Sequence, residues 1–341
     1  MRPAWDDVNA RARGLSTHLL TRGTLHALGR APELAALASG LRRCGVLAAT
    51  AEEQPTPEQL ELGIRRWAGA RLGLLARWVG ERSAALPLVF DAEDRRSLRA
   101  IFRGIAERAP AERRLAGLIP TPALPERALE ALAAAPTAAA AAALLAAWRH
   151  PLAAAAAWTG AADPDLFALD ESLARAGADQ ARRAARRTHD APLRNAVREA
   201  IDLDNALTAV VLATAGREVP SASQFLPGGA RVTSVVFREA IATGDPGAAG
   251  VRLARALAGS AYADLFARGA GDPAALESAV LRRQLRELSR QVRRAPLGPL
   301  ELIWFALRLR AQVLDLQRII WTVALDAPRA ELAGALVTAE P

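Results

Sequence analysis

The side chains that most often carry enzyme chemistry are sparse in this chain of 341 residues. Its single cysteine, Cys44, has no histidine nearby in the sequence that could activate it, so we expect a buried structural thiol rather than a nucleophile. No GxSxG motif is present, and the histidines lack the spacing of a zinc site. These histidines are His18, His26, His150 and His189. Neither a metal site nor a nucleophilic active site is expected.

The basic residues exclude several further enzyme classes. All 44 are arginine, so a P-loop lysine, a Schiff-base lysine and a lysine general base are impossible. The pair Gly228-Gly229 does not follow a predicted strand, as a dinucleotide-binding glycine motif would, and we interpret it as a turn. We therefore expect no cofactor and no small-molecule substrate.

Pairs of acidic residues are the remaining candidates for general acid and base. Asp163 and Asp165 lie at a predicted helix start, and Asp202 and Asp204 lie within a predicted long helix. Carboxylates at such positions commonly cap helices or pair with arginine. We expect those structural roles rather than catalysis.

One sequence pattern occurs three times: a polar residue with apolar or small residues one and four positions later. The polar residues are Ser97, Asn205 and Asp315, which lie 108 and 110 residues apart. An active site is needed only once, so we interpret these residues as structural and expect the Asn205 amide to be hydrogen-bonded in a bundle interior or domain interface. The other members of these three sets of anchor residues are Leu98, Ile101, Ala206, Ala209, Leu316 and Ile319.

Composition and spacing together predict the fold class. Hydrophobic residues make up 51% of the chain but aromatic residues only 4%, so alanine and leucine, both strong helix formers, dominate. A repeat of about 109 residues is longer than a solenoid unit. We therefore predict an all-α protein of three similar helical bundles in a pseudo-threefold arrangement, with approximate bounds 1–112, 113–222 and 223–341.

Each third is predicted to contain one long anchor helix. The first is expected over Asp91–Glu107, the second begins at Pro192 and stops at Gly216, and the third begins at Pro299. One apolar face of the second is predicted to carry Leu203, Leu207, Val210 and Val211.

Arginine-bearing helices precede these anchor helices. Thr56 and Pro57 have the types expected at the cap and first position of a helix that reaches about Ser83. Asp163 and Pro164 form another such pair. A third helix, opened by Pro273, is predicted to direct inward Leu281, Leu285, Leu288 and Val292.

Two stretches bear on membrane insertion. Met1–Ala12 is polar and unlike a signal peptide. Ala131–Trp148 is 18 residues without a charge, about the minimum for a transmembrane helix. It is mostly alanine and is interrupted by Pro136, so we expect a soluble helix, and Pro151 should bend or split the continuation that reaches Trp158.

Clustered arginines give the chain a net charge of +8 and a pI of about 11.1. A solvated helix face is the default interpretation, and a docking face for an acidic protein or a membrane-associated assembly is the next. Nucleic-acid binding comes last, because aromatic residues for base stacking are few and glutamates are interspersed. The candidate partner-binding residues are Arg66, Arg183, Arg187, Arg282, Arg286 and Arg290.

Several segments, in this order and spacing, resemble the C subunit of V-type (archaeal-type) rotary ATPases, which is related to the eukaryotic d subunit. Near the start stands VNARARGLSTHLL; Asp94-x-x-Ser97-Leu98 and Asp202-x-x-Asn205 resemble the family's D-x-x-N-L helices. QFLPGG at 224–229 resembles a family loop, and Val313–Ile320 resembles its E-V-x-N-L-R-x-I helix. Ser97 and Asp315 depart from the expected asparagine, and Gln312 from the expected acid.

The resemblance implies a non-catalytic rotor part. The family's funnel of three helical domains sits on the cytoplasmic mouth of the membrane proteolipid ring and receives the tip of the central shaft. A peripheral position on the cytoplasmic face, with ring and shaft as partners, is therefore expected for this chain. The alternative is a basic all-helical scaffold that binds nucleic acid.

Overall fold

The computed structural model describes residues 5–48, 55–80, 87–157, 165–188, 190–215 and 224–338. Within these ranges the backbone forms helices and no strand, which confirms the all-α prediction. The chain divides into two compact units. Unit 1 is Met1–Leu173 with Glu301–Pro341, and unit 2 is Ala174–Leu300. The division into three bundles with pseudo-threefold symmetry stays a prediction.

Unit 1 is built mainly from the first helices of the chain, completed by its C-terminal helices. The helices before Leu166 are α1 Asp6–Ser16, α2 Arg22–Gly29, α3 Leu34–Arg43, α4 Pro57–Val79, α5 Pro87–Ala106, α6 Ala111–Leu115, α7 Glu126–Ala133, α8 Ala138–Ala147 and α9 Ala153–Ala156. The helices at the other end of the chain are α16 Leu300–Ala324 and α17 Arg329–Ala335.

Unit 2 is formed by the middle of the chain. Helix α10, Leu166–Arg187, begins in unit 1 and continues into unit 2. The helices that follow it are α11 Ala191–Ala215, α12 Ser234–Ile241, α13 Pro246–Ala256, α14 Ala263–Gly269 and α15 Pro273–Arg294.

The core of unit 1 contains residues from the first helices of the chain and from α16. Leu25 of α2, Leu37 of α3 and Leu75 of α4 are fully buried with Phe305 and Leu309 of α16 in one hydrophobic cluster. Removing this much apolar surface from water is the main favourable contribution to folding. Helix α16 is therefore held in unit 1 by packing against helices more than two hundred residues earlier.

The core of unit 2 forms around α11. Ala206, Ala209 and Val210 pack in one cluster with Phe237 of α12 and Phe266 of α14. The prediction that Val211 shares this buried face is wrong, because Val211 is 53% exposed. The buried positions 202, 205, 206, 209 and 213 follow the spacing of one helix face, and position 211 lies on the opposite face.

A capping side chain and a first-turn proline define the starts of α4 and α15. The Thr56 hydroxyl accepts a hydrogen bond from the Gln59 N–H at 3.3 Å, and the Thr56 N–H donates to Gln59 Oε1 at 2.7 Å, a complete capping box with Pro57 at the first position of α4. The predicted start of this helix is confirmed. Helix α15 begins at Pro273, as predicted, and its cap is Asp272, whose side chain accepts a hydrogen bond from the Ala275 N–H.

Three predictions about helix extent or burial are wrong in detail. Helix α5 begins at Pro87 rather than Asp91, because proline is tolerated in a first helical turn. The stretch Ala131–Trp148, expected to be one helix, is divided between α7 and α8 at Pro136, whereas the predicted split at Pro151, between α8 and α9, is confirmed. In α15, Val292 is buried. The half-buried residues of the predicted inward face are Leu281, Leu285 and Leu288.

Some predicted features fall outside the described residues. They are the Asp163-Pro164 helix start, Trp158, His189 and the Gly216 helix stop. Helix α4, predicted to reach about Ser83, ends at Val79 with Gly80 as its C-cap.

Candidate functional site

Helices α5, α11 and α16 each carry a pair of buried polar residues one turn apart, and in α11 this pair binds the loop that follows. Asn205 is fully buried. Its Oδ1 accepts the Leu226 N–H at 2.8 Å, and its Nδ2 donates to the Leu226 carbonyl at 2.9 Å. The side-chain amide thus donates one hydrogen bond to, and accepts one from, the backbone of a residue 21 positions later.

Asp202, one turn before Asn205, binds the next part of the same loop. Its carboxylate accepts backbone N–H groups from Ala230 at 2.9 Å, Arg231 at 3.0 and 3.1 Å, and Val232 at 2.9 Å. A Cβ on Gly229 would lie 2.1 Å from Asp202 Oδ1, so glycine is required for this close approach. The expectation that Asp202 caps a helix or pairs with an arginine side chain is wrong, because its acceptor oxygens are used by loop amides.

Helix α16 has an analogous pair within unit 1. The Gln312 side chain exchanges two hydrogen bonds with the Leu20 backbone, accepting its N–H at 3.0 Å and donating to its carbonyl at 2.6 Å. Asp315, one turn later, is fully buried and accepts the N–H groups of Val337 at 2.7 Å and Thr338 at 2.8 Å. Burial raises the pKa of Asp315, and these hydrogen bonds, with the one from the Thr338 hydroxyl, oppose the rise. Leu20 and residues 337–338, which lie near opposite ends of the described chain, are therefore both hydrogen-bonded to α16.

Helix α5 carries the third pair, Asp94 and Ser97, both buried. Asp94 accepts a hydrogen bond from the Thr121 hydroxyl, and Thr121 Oγ1 in turn accepts the Leu124 N–H at 3.0 Å. The second Asp94 oxygen lies 3.4 Å from His150 Nε2. Here the loop is attached through a side chain rather than through the direct amide contact that Asn205 makes.

One turn before Asp94, the carboxyl of Asp91 lies in surroundings that disfavour its charged form. Burial raises its pKa to about 7, the negative charge of Asp94 adds to the rise, and Arg95 opposes it. This carboxyl is therefore protonated in a larger fraction of molecules at neutral pH than an ordinary aspartate.

The apolar anchor residues of α5, α11 and α16 are all buried. Each is at most 1% exposed. They are Leu98 and Ile101 in α5, Ala206 and Ala209 in α11, and Leu316 and Ile319 in α16.

A second polar contact in unit 2 involves the only tyrosine. The Tyr262 hydroxyl donates to Glu199 Oε1 at 2.9 Å, and the ring is 1% exposed. Burial raises the pKa of Tyr262, and the charge of Glu199 and its hydrogen bond add to the effect. Burial also raises the pKa of Glu199, whereas the bond from Tyr262 lowers it.

The arginines predicted to bind partners are distributed over several helices. Arg66 is exposed on α4, and its Nε lies 2.8 Å from Glu126. On α10, Arg183 and Arg187 are exposed. On α15, Arg290 is exposed and pairs with Glu287 at 2.7 Å. The two partly buried members of the set are Arg282 and Arg286.

Other reactive side chains are placed as follows. Cys44 follows the end of α3 and is only partly buried, so the expectation of a buried thiol is wrong; the chain turns away from the helix at this point. His150 is buried against Asp94. Across the ranges that the structure describes, no group of three or more His, Cys, Asp or Glu residues is arranged to hold a metal ion.

The length and apolar character of the helices bear on whether the chain could cross a membrane. None of those in the described part of the chain combines the length and the apolar character needed to span a bilayer.

Comparison with known protein families gives a match over nearly the whole chain. The model of the ATP synthase (C/AC39) subunit family matches residues 8–333, nearly the whole chain. The chain belongs to this family. A search of curated proteins gave no significant match. As a C/AC39 subunit, the chain is a component of a V-type ATPase.

The family match covers all three polar pairs. In the C/AC39 chain described here, the two departures from the expected asparagine have different consequences. Asp315 still binds backbone N–H groups, at 337 and 338. Ser97 lacks the amide with which Asn205 binds its loop, and it lines a cavity instead.

The loop contacts of Asp94, Asp202 and Gln312 were not predicted from the sequence. The available signal was the three-residue spacing to Ser97, Asn205 and Asp315, which places each pair on one helix face.

Proposed function

We propose that this chain is a non-catalytic subunit of the central stalk of a V-type ATPase, where it connects the rotor shaft to the proteolipid ring of the membrane sector. In this position it transmits torque during ATP-driven or ATP-producing transport of H⁺ or Na⁺. The observation that carries the proposal is the family match over residues 8–333. The cytoplasmic face of the membrane is the location that follows from these partners.

The hydrogen bonds of the polar pairs in α11 and α16 support a mechanical role. Asp202, Asn205, Gln312 and Asp315 are at most 2% exposed, and they bind backbone groups of distant segments. Satisfied buried polar networks make a fold rigid and specific. A body that transmits torque needs this stiffness, because a compliant loop would dissipate displacement as local motion.

Exposed arginines support docking on acidic partners. Arg183 and Arg187 lie on the last turns of α10, where two further arginines bring the local positive charge higher. Arginine is well suited to interfaces because its planar guanidinium binds carboxylates through two parallel hydrogen bonds. We propose that Arg66, Arg183 and Arg187, with the α15 residues Arg282, Arg286 and Arg290, contribute to contacts with shaft or ring.

Co-purification tests the proposal. A tagged copy of the chain, expressed from its own locus, should bring down the nucleotide-binding head and the proteolipid ring from detergent-solubilised membranes, in a fixed stoichiometry. An intact V-type complex that lacks this chain would contradict the proposal. Steep salt-dependent binding of DNA or RNA by the purified chain, without those subunits, would favour the nucleic-acid scaffold instead.

A further inference from the structure

A cavity of about 310 Å³ lies within unit 1 between α5, residues 116–118 and α16. Its volume is at the lower end of the range of roughly 300–1,000 Å³ for small-molecule pockets. Four of its lining residues share one face of α5, and two come from α16. They are Glu93, Arg96, Arg99 and Arg103, with Arg310 and Gln317 opposite.

The lining of this cavity carries an excess of positive charge. Its four arginines face a single lining carboxylate, Glu93, which pairs with Arg96 and lies 3.6 Å from Arg310. Arg99 pairs with Asp170 at 2.8 Å. Arg103 has no ion-pair partner among the residues that the structure describes. The cavity lining itself therefore contains four guanidinium groups and one carboxylate, which is an excess of positive charge.

The cavity is located where the polar pair of α5 differs from the polar pair of α11. Ser97 lines it, with Gly117 and Leu118 from the following loop. At the corresponding sequence position in unit 2, the Asn205 amide binds its loop directly. Serine is shorter by an amide group, so space remains between α5 and residues 116–118.

Hydrogen-bond donors also reach the loop side of the cavity. Gly117 has a φ of +69°, and a Cβ there would lie 2.2 Å from Gln317 Nε2. The side-chain amide of Gln317 is therefore seated against this glycine. Together with the Ser97 hydroxyl and the guanidinium groups, it provides a lining rich in donors.

We propose that this cavity binds a phosphate group. A phosphate carries a charge of about −1.5 to −2 at neutral pH and offers several acceptor oxygens, which suits both the charge excess and the donors. Arginine binds phosphate through paired hydrogen bonds. Glu93 holds Arg96 and Arg310 in position. The phosphate can come from a free ion or from a lipid headgroup, and the two sources share this chemistry.

Titration calorimetry at low salt tests the proposal with two probes. The first is inorganic phosphate, and the second is phosphatidylcholine vesicles with and without phosphatidic acid. Binding of inorganic phosphate identifies a free-ion site, and binding only to vesicles with phosphatidic acid identifies a headgroup site. Binding to neither probe would overturn the proposal.

Two variants distinguish phosphate binding in this cavity from non-specific attraction of phosphate to the positively charged surface. Loss of charge-assisted hydrogen bonds in Arg103→Gln should weaken binding about tenfold. Arg113→Gln is the matched control, because it removes one exposed arginine from α6, outside the cavity lining. Equal weakening by both variants would overturn the proposal.

A second variant tests the cavity by filling it. Ser97→Asn introduces the amide that Asn205 provides in unit 2, and it should abolish binding without altering the far-UV circular dichroism. A folded Ser97→Asn protein that binds phosphate as tightly as the wild type would contradict the assignment. The test is independent of the proposed stalk function, because it uses the isolated chain and does not measure assembly.

Discussion

Asn205 and Leu226 exchange two hydrogen bonds, of 2.8 and 2.9 Å, between one buried side-chain amide and one backbone unit. The contact joins α11 to a loop 21 residues later. Asp202 extends it to residues 230–232. A side chain on a rigid helix thus determines the path of a segment that has no regular secondary structure of its own.

Replacement of Asn205 by leucine should destabilise unit 2. The variant leaves the Leu226 N–H and carbonyl without partners, and each buried unsatisfied group costs about 1–3 kcal/mol, so we expect a total loss of about 2–6 kcal/mol. Helix loss in urea, followed by circular dichroism, measures it. The stability of Asn195→Leu, a change on an exposed position of the same helix, should stay within about 0.5 kcal/mol of wild type.

The tryptophans make this test specific to one unit. All seven lie in unit 1, so tryptophan fluorescence reports the unfolding of unit 1 alone. Asn205→Leu should shift the circular-dichroism transition to lower urea more than the fluorescence transition. Unchanged unfolding in both signals would show that the amide contact adds nothing to stability.

The anchor helices show which structural features could be predicted from the sequence. Their apolar periodicity and the proline and glycine positions predicted α5, α11 and α16 to within a few residues. The partners of Gln312 and Asp315 were not predictable, because Leu20 lies 292 residues from Gln312 and no local pattern encodes that distance. The cavity beside Ser97 likewise depends on the separation of α5 and α16, which only the packed unit determines.

Replacement of Asp315 by alanine should release the end of the described chain. The N–H groups of Val337 and Thr338 lose their acceptor, so hydrogen exchange at these amides should accelerate about tenfold or more, as expected when a bond worth 1.5–3 kcal/mol is lost. Mass spectrometry of the C-terminal peptide measures the rate. Asp326→Asn, on an exposed residue after α16, is the control and should exchange like wild type.

Stability of unit 1 should depend on the protonation of Asp91. Its pKa is about 7 in the folded protein and about 3.9 in an unfolded chain. Between those values the folded state binds a proton that the unfolded state does not, so stability falls as the pH rises from about 4 to about 7. Asp91→Asn should remove this slope and add on the order of 1–2 kcal/mol at pH 8, allowing for partial solvent access.

Urea midpoints from tryptophan fluorescence between pH 4.5 and 8 measure the slope for Asp91. Glu112→Gln, on an exposed position of α6, should retain the wild-type pH dependence. The same slope in Asp91→Asn and in wild type would rule out Asp91 as its source.

Ionisation of Tyr262 should be suppressed in the folded protein. Burial and the adjacent Glu199 raise its pKa above the ordinary value, which is about 10. Because Tyr262 is the only tyrosine, absorbance at 295 nm follows this group without interference from others. We expect tyrosinate to form only as circular dichroism is lost, and earlier in Glu199→Gln. Tyrosinate near pH 10 with intact helices would contradict the buried contact.

The central claim is that this C/AC39 subunit couples the rotor shaft to the ring, and removal of the chain tests it most directly. Membrane vesicles from cells without it should lose ATP-driven ion transport, while the detached head still hydrolyses ATP. Added purified chain should restore transport. Undiminished ATP-driven transport in vesicles that lack the chain would contradict the account.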